Sequence, residues 1–223
     1  VLEADALDFA PGCRVAILGG NGAGKTTLLH AIAGLQDLAA GEIGFDGQIV
    51  HQGRAPASRT QRARLGLALQ DPYMLAGTVA HNVAFGLRCH GVAGQERRRR
   101  VAEALTRLGI SALSGRRAAE LSGGEQKLVS LAQTLALAPP VLLLDEPTAG
   151  LDAEACELLE QVLLELSKQG HSLIVASHDS MWTQALGATE VVLQAGRLVR
   201  APDAVQAPQP PKKPAAELPP PPV

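Results

Sequence analysis

Short apolar runs alternate with stretches of helical period along most of the chain. Arg14 to Leu18 (RVAIL) reads as a strand, and Gly24 to Ala33 continues from it as a helix. Glu42 to Val50 reads as a hairpin turning at Asp46-Gly47, a two-residue pair suited to tight turns. Gly66 to Leu69 is a further short strand. From about residue 73 to 138 the period is helical, with helices over Thr78 to Leu87, Gln95 to Leu108 and Ser122 to Leu137. Val141 to Leu144 and Leu173 to Ala176 are continuous apolar runs, the mark of strands covered on both faces of a parallel sheet. Ala153 to Lys168 between them is amphipathic, and Val191 to Gln194 with Arg197 to Arg200 flank Ala195-Gly196 as a closing hairpin. This order predicts an α/β fold, a sheet domain interrupted by an α-helical subdomain.

Composition narrows the partners. The formal net charge of -2 gives no bulk attraction to nucleic acid or anionic membrane. Only Phe9, Phe45, Phe85, Tyr73 and Trp182 are aromatic, too few for a base-stacking platform, so no nucleic-acid partner is expected. Cys13, Cys89 and Cys156 are far apart and form no CxxC pair, which suits free thiols in a reducing compartment. No apolar run reaches bilayer length and no charged-then-apolar leader opens the chain, so it is expected in the cytosol or on a membrane through a partner. Residues 201–223 hold Pro202, Pro208, Pro210, Pro211, Pro214 and Pro219 to Pro222, so this tail is expected to be extended or disordered, a linker or a peptide-docking segment. Arg97 to Arg100 read as a solvated helix face.

Three motifs carry chemistry. Gly19-Gly20-Asn21-Gly22-Ala23-Gly24-Lys25-Thr26 fits GxxxxGK[ST] between a strand and a helix. Such a loop turns backbone N–H groups toward phosphate oxygens and adds the positive end of a helix dipole. Lys25 suits the β- and γ-phosphates, and the Thr26 hydroxyl suits Mg²⁺. Val141-Leu142-Leu143-Leu144-Asp145-Glu146 delivers two carboxylates at the C-terminal end of a strand, where open α/β sheets bind ligands. Asp145 suits the metal and Glu146 the attacking water, although two acids after a strand also serve as a helix cap. Leu121-Ser122-Gly123-Gly124-Glu125-Gln126 is a capping box. Its two glycines are poor helix formers that a plain cap leaves unexplained, and they suit a second anion site.

LSGGE upstream of LLLDEP, with a P-loop before both, resembles the nucleotide-binding domain of ABC-type ATPases, and the likeness covers nearly all of residues 1–200. The resemblance implies a P-loop NTPase (RecA-like) core, a helical subdomain at about 73–138 and a partial antiparallel β subdomain. It implies ATP and Mg²⁺, with Gly19, Asn21, Gly22, Ala23, Gly24, Lys25, Thr26 and Thr27 around the phosphates. It also implies a second ATP-binding subunit, the same or a different chain, whose Ser122, Gly123 and Gly124 reach the ATP held by the first. Gln70 resembles the Q-loop glutamine that reaches metal and water, Asp152 the D-loop aspartate at the dimer seam, and His178 the histidine that contacts the γ-phosphate. Taken alone, Gln70 before Asp-Pro is a turn residue and His178 a structural histidine. Two departures stand out. The aromatic that stacks on adenine and the first antiparallel strands have no counterpart before Lys25, so the sequence reads as N-terminally truncated. Leu128 stands where many relatives carry Arg.

The segment between Gln70 and Ser122 is short, without the coiled coil or zinc hook of chromosome-structural and DNA-repair relatives. That suits a transporter subunit at the cytoplasmic face of the membrane, held there by integral-membrane permease subunits, with Tyr73, Met74, Leu75 and Phe85 as apolar contacts. Asn82 to Leu87 (NVAFGL) resembles bacterial importers. Gln70-Asp71-Pro72 with Leu121 to Ala132 resembles the cobalt/nickel and energy-coupling-factor group, and Leu75 to Val79 the tungstate or molybdate importers. The alternatives are a soluble ABC ATPase acting in translation or DNA repair, a P-loop small-molecule kinase, and a non-catalytic ATP-gated clamp.

Overall fold

The structure is a computed structural model that describes residues 2–3, 7–45, 48–53, 58 and 62–200. The Asp46-Gly47 turn and the proline-rich tail lie outside the described residues. In chain order the strands are β1 (Arg14–Leu18), β2 (Glu42–Phe45), β3 (Gln48–Gln52), β4 (Leu65–Ala68), β5 (Val141–Asp145), β6 (Ser172–Ser177), β7 (Thr189–Gln194) and β8 (Arg197–Arg200). The helices whose bounds fall within the described residues are α1 (Lys25–Ile32), α2 (Val79–Cys89), α3 (Gly94–Arg107), α4 (Gly123–Leu137), α5 (Ala153–Lys168) and α6 (Ser180–Ala185). Six strands form one sheet in the order β4-β5-β6-β1-β7-β8, while β2 and β3 pair antiparallel apart from it. All neighbours in the large sheet are parallel except β7 and β8.

The apolar runs explain the two-sided sheet. Side chains alternate faces along a strand, so a run of apolar residues feeds two cores. On β5, Leu142 and Leu144 join one core while Val141 and Leu143 join the other. On β6, Leu173 and Val175 face the first core and Ile174 and Ala176 the second. The first core is closed by apolar faces of α2, α3, α4 and α5, for example Val83, Leu105, Leu131 and Leu163. The second is closed by Leu28 and Leu29 of α1 and by Val15 and Ile17 of β1.

Helix starts follow their caps. Thr78, Ser122, Asp152 and Asp179 each accept a hydrogen bond from the backbone N–H three residues on. Asp179 explains α6, a short helix that sequence periodicity does not reveal: six residues are too few to show a period, yet Trp182 is buried in the first core. Two short 3₁₀ turns, Ser111–Leu113 and Ala118–Glu120, are equally invisible in the pattern. Asn82 is fully buried and pins the loop before α2. Its Nδ2 donates to the carbonyls of Leu75 (3.0 Å) and Thr78 (3.0 Å), and its Oδ1 accepts from the Leu75 N–H (2.8 Å).

Parallel pairing puts the C-terminal ends of β4, β5, β6 and β1 at one edge of the sheet. Four loops therefore leave that edge together. They carry Gln70 after β4, Glu146 after β5, His178 after β6 and the glycine-rich segment after β1. No helix among the described residues is long and apolar enough to cross a membrane.

Candidate functional site

A cavity of about 850 Å³ opens where those four loops meet. Residues 20–27, Gln70, Asp145, Glu146, Ala149 and His178 line it. Of the residues singled out from sequence, Asn21, Gly22, Ala23, Gly24, Lys25, Thr26, Thr27, Gln70, Asp145, Glu146 and His178 are thus brought together. Gly19 does not line it, although its carbonyl accepts from Lys25 Nζ at 2.7 Å. Ser122, Gly123, Gly124 and Asp152 do not line this cavity. Ser122 caps α4, and Asp152 caps α5 by accepting from the Ala155 N–H at 2.8 Å.

The glycine-rich loop is shaped by contacts that exclude side chains. A Cβ on Gly19 would collide with the Leu193 carbonyl oxygen of β7, so the loop leaves β1 against bare backbone. Gly24 has φ +104, in the left-handed region, and a Cβ there would meet Leu2 at 3.1 Å. The β7–β8 turn braces the same loop, with the Gly196 N–H donating to the Ala23 carbonyl at 3.0 Å. α1 begins at Lys25, so its unpaired N-terminal N–H groups and dipole point into the cavity.

Charges are paired across the opening. Lys25 is buried, and its Nζ donates to the carbonyls of Gly19 (2.7 Å) and Gly20 (3.3 Å). It stands 3.7 Å from Glu146 Oε1. Glu146 Oε2 accepts from His178 Nδ1 at 2.9 Å, and from Ser177 Oγ and the His178 N–H at 3.4 Å each. A carboxylate only accepts, which assigns the imidazole proton to Nδ1 and leaves the exposed Nε2 edge for a ligand. Glu146 has φ 44, a left-handed conformation uncommon outside glycine and of the kind that clusters at functional sites.

Thr26 Oγ1 donates to Asp145 Oδ2 at 2.8 Å. The other oxygen, Oδ1, is buried without a hydrogen-bond partner, although Asp145 is only 2% exposed. A carboxylate oxygen left bare at that depth is costly, and a cation alongside would compensate it. Glycine backbone, a helix N-terminus, a buried ammonium and an unpaired carboxylate oxygen next to a threonine hydroxyl together fit a polyphosphate with a divalent cation.

Two further residues bear on the site, and the motifs give neither of them a role. Ser177, fully buried, links Glu146 to the Asp179 N–H at 3.0 Å. Lys127 is 2% exposed in α4 and donates to backbone carbonyls at the ends of β4 and β5. Burial pushes its ammonium below the ordinary lysine range, against the opposing pull of Asp145, Asp71 and Glu146. The one signal in sequence is its spacing. Lys127 falls on the same helical face as Leu131 and Thr134, both buried.

A parallel sheet whose first strand turns through a glycine-rich loop into a helix, with an acidic pair two strands away, defines a P-loop nucleotide-binding class. Within that class the chain belongs to the ABC transporter family, whose pattern matches residues 2–149. It is 38% identical over 190 residues to the energy-coupling factor transporter ATP-binding protein EcfA of Methanothermobacter thermautotrophicus, covering 84% of this chain and 61% of that protein. It is 42% identical to the Fe(3+) ions import ATP-binding protein FbpC of Streptomyces avermitilis, covering 90% of this chain and 57% of that protein. The chain thus spans only about 60% of the length of these relatives. It is 34% identical to the tungstate uptake system ATP-binding protein TupC of Peptoclostridium acidaminophilum, with 89% of each chain covered.

Among solved structures, cbiO1 of Clostridium perfringens, part of the ABC transporter complex cbiONQ, superposes with TM-score 0.76 at 33% identity. That match covers 89% of this chain and 80% of the other. The ATP-binding cassette MJ0796, solved as a dimer in a post-hydrolysis state with ADP and Pi, gives TM-score 0.80 at 28% identity, covering 89% and 88%.

Proposed function

We propose that this chain binds and hydrolyses ATP as the motor subunit of an importer for a small solute. The observation that carries the reading is the bare, buried Asp145 Oδ1 beside the Thr26 hydroxyl, in a cavity that also holds Lys25 and Glu146. Lys25 takes the β- and γ-phosphates, leaving the Gly19 and Gly20 carbonyls that occupy it here. Gly22, Gly24 and the first N–H groups of α1 surround the same phosphates. Thr26, Asp145 and Gln70 would hold Mg²⁺, which would supply neutralisation of the charge on the phosphate oxygens.

Glu146 then accepts a proton from water as the water oxygen attacks the γ-phosphorus. The bond to the bridging oxygen breaks, and ADP departs with the electron pair. His178 and Ser177 fix the Glu146 carboxylate through its Oε2, so that Oε1 faces the cavity. To meet the γ-phosphate, His178 donates from Nε2–H, which needs a proton on Nε2 in addition to the one that Nδ1 donates to Glu146.

The site is completed by a second copy of the chain. Ser122, Gly123 and Gly124 head a 15-residue helix yet do not line their own cavity. They serve the nucleotide of the opposite subunit, with Asp152 at the seam. The dimeric MJ0796 cassette supports this arrangement. ATP closes the pair and hydrolysis reopens it.

Tyr73, 78% exposed, and Phe85, 44% exposed, form with Met74 and Leu75 the contact for membrane-embedded permease subunits, which hold the chain at the cytoplasmic face of the membrane. The likeness to EcfA, an energy-coupling factor transporter ATP-binding protein, supports an energy-coupling-factor-type cargo ahead of an oxyanion. Residues 1–200 act as the ATP-binding unit, with the proline-rich segment outside it. The test is ATP hydrolysis by the purified chain with Mg²⁺, alongside Lys25→Ala. Turnover that the variant abolishes together with ATP binding supports the reading, and ATP hydrolysis unaffected by Lys25→Ala contradicts it. Capture of a permease from detergent-solubilised membranes tests the transport role.

A further inference from the structure

Lys127 is the most deeply buried ammonium among the described residues, at 2% exposure against 7% for Lys25, and the hydrolytic steps do not use it. A charge at that depth is costly unless its protons are all bonded. An ammonium has three protons, and three acceptors surround this one. Nζ donates to the carbonyls of Leu69 (3.0 Å), Gln70 (2.8 Å) and Asp145 (3.2 Å).

The acceptors come from separate parts of the fold. Leu69 and Gln70 follow β4, Asp145 ends β5, and the lysine itself rises from α4 about one turn beyond Gly124. A second contact ties the same helix start to the loop after β5, where a Cβ on Gly124 would lie 2.9 Å from the Gly150 carbonyl oxygen. An apolar residue in place of Lys127 would strand three buried carbonyls. Arginine would offer its donors in a flat fork rather than from one point.

We propose that Lys127 is a positioning residue that locks the backbone of Gln70 and Asp145 to the helix headed by Ser122. The metal-and-water side of a subunit's own nucleotide site is thereby bonded to the helix whose start it lends to its partner. The inference rests on the proposed ATPase activity, and Lys127 acts through its three carbonyls without touching nucleotide.

The test compares the full chain with Lys127→Met, Lys127→Arg and, as a surface control, Lys168→Met. Three quantities are read on folded protein: steady-state ATPase, the Mg²⁺ concentration for half-maximal rate, and amide hydrogen exchange in residues 65–72 without nucleotide. The expectation for Lys127→Met is a kcat lower by about 10- to 100-fold with KM for ATP little changed, since misplacement of about 1 Å costs on that order. The Mg²⁺ requirement rises, and exchange at residues 69–71 quickens by about tenfold or more. Lys127→Arg keeps the charge and the fold and shares the loss of kcat, while Lys168→Met matches wild type. A lysine needed only for folding would lower melting temperature and leave all three quantities unchanged per folded molecule. That result in either variant overturns the inference, as does failure of Lys127→Arg to fold. Wild-type protein that neither binds nor hydrolyses ATP would instead refute the ATPase activity itself, so the two failures are distinct.

Discussion

Replacing Glu146 by Gln alters the centre of the cavity by one charge and almost no volume. The carboxylate is 7% exposed, with Oε2 fixed by His178 and Ser177 and Oε1 3.7 Å from the Lys25 ammonium. The amide oxygen of Gln can accept the same hydrogen bonds from His178 and Ser177, but it takes no proton from water at neutral pH. Loss of a positioned general base lowers turnover by about 10²- to 10⁴-fold. Binding should move the other way. A carboxylate beside a polyphosphate is repulsive, and it holds Lys25 in competition with the phosphates. Removing one unit of negative charge contributes at least about 1 kcal/mol, the scale for unit charges 4 Å apart in water, or about fivefold in affinity. Lys25 keeps its bonds to the Gly19 and Gly20 carbonyls, so the nucleotide-free protein loses about 1–3 kcal/mol of stability and stays folded. Single-turnover hydrolysis and equilibrium binding of a fluorescent ATP analogue check both halves. Turnover within twofold of wild type would refute the base assignment, and weaker binding by the variant would refute the charge argument.

Asp145→Asn removes the negative charge and replaces one carboxylate oxygen by an amide nitrogen that binds no cation, so the Mg²⁺ concentration that half-saturates the ATP-dependent thermal shift should rise by at least about tenfold. Differential scanning fluorimetry across a Mg²⁺ series reads it. Ala195 sits at φ 49 beside Gly196 in the β7–β8 turn; Ala195→Gly relieves a left-handed alanine and should raise the melting temperature by about 2–4 °C. The backbone N–H of Ser122, then its side chain and Arg116, hold the Glu125 carboxyl below the ordinary glutamate value. Its folded-state pKa is therefore depressed, so the capping box contributes fully above the unfolded value and is lost as pH falls through the lower folded one. An NMR titration of the Glu125 carboxyl should place its midpoint below 4.5, the reference value, and Arg116→Ala should move it back up.

The parallel sheet was legible because strands buried on both faces need uninterrupted apolar runs, as in Val141 to Leu144 and Leu173 to Ala176. The P-loop and the acidic pair were legible because clustered glycines and paired carboxylates, each set directly after an apolar strand, suit phosphate and metal far better than they suit a packed core. Residues that act through tertiary contact left no local trace. Lys127 finds its acceptors 57, 58 and 18 positions away along the chain. Ser177 meets Glu146 across 31 positions, and the left-handed φ of Glu146 has no counterpart in the sequence pattern. The brace of the glycine-rich loop by Leu193 and Gly196 depends on β7 lying next to β1, a pairing that only the assembled sheet reveals. α6 left no period for a different reason, being shorter than two turns.

The central claim is that each catalytic site is shared between two copies of the chain. Mixing two variants, each inactive alone, tests it most directly. Ser122→Ala keeps its own Glu146 but lends its partner a defective helix end, whereas Glu146→Gln lacks the base but lends an intact one. In a mixed dimer one site then combines a wild-type Glu146 with a wild-type Ser122. The account predicts that an equimolar mixture recovers about a quarter of the wild-type ATPase rate, since half of randomly formed dimers carry one intact site of two. A mixture no more active than its components, or a Ser122→Ala protein as active as wild type, would contradict it.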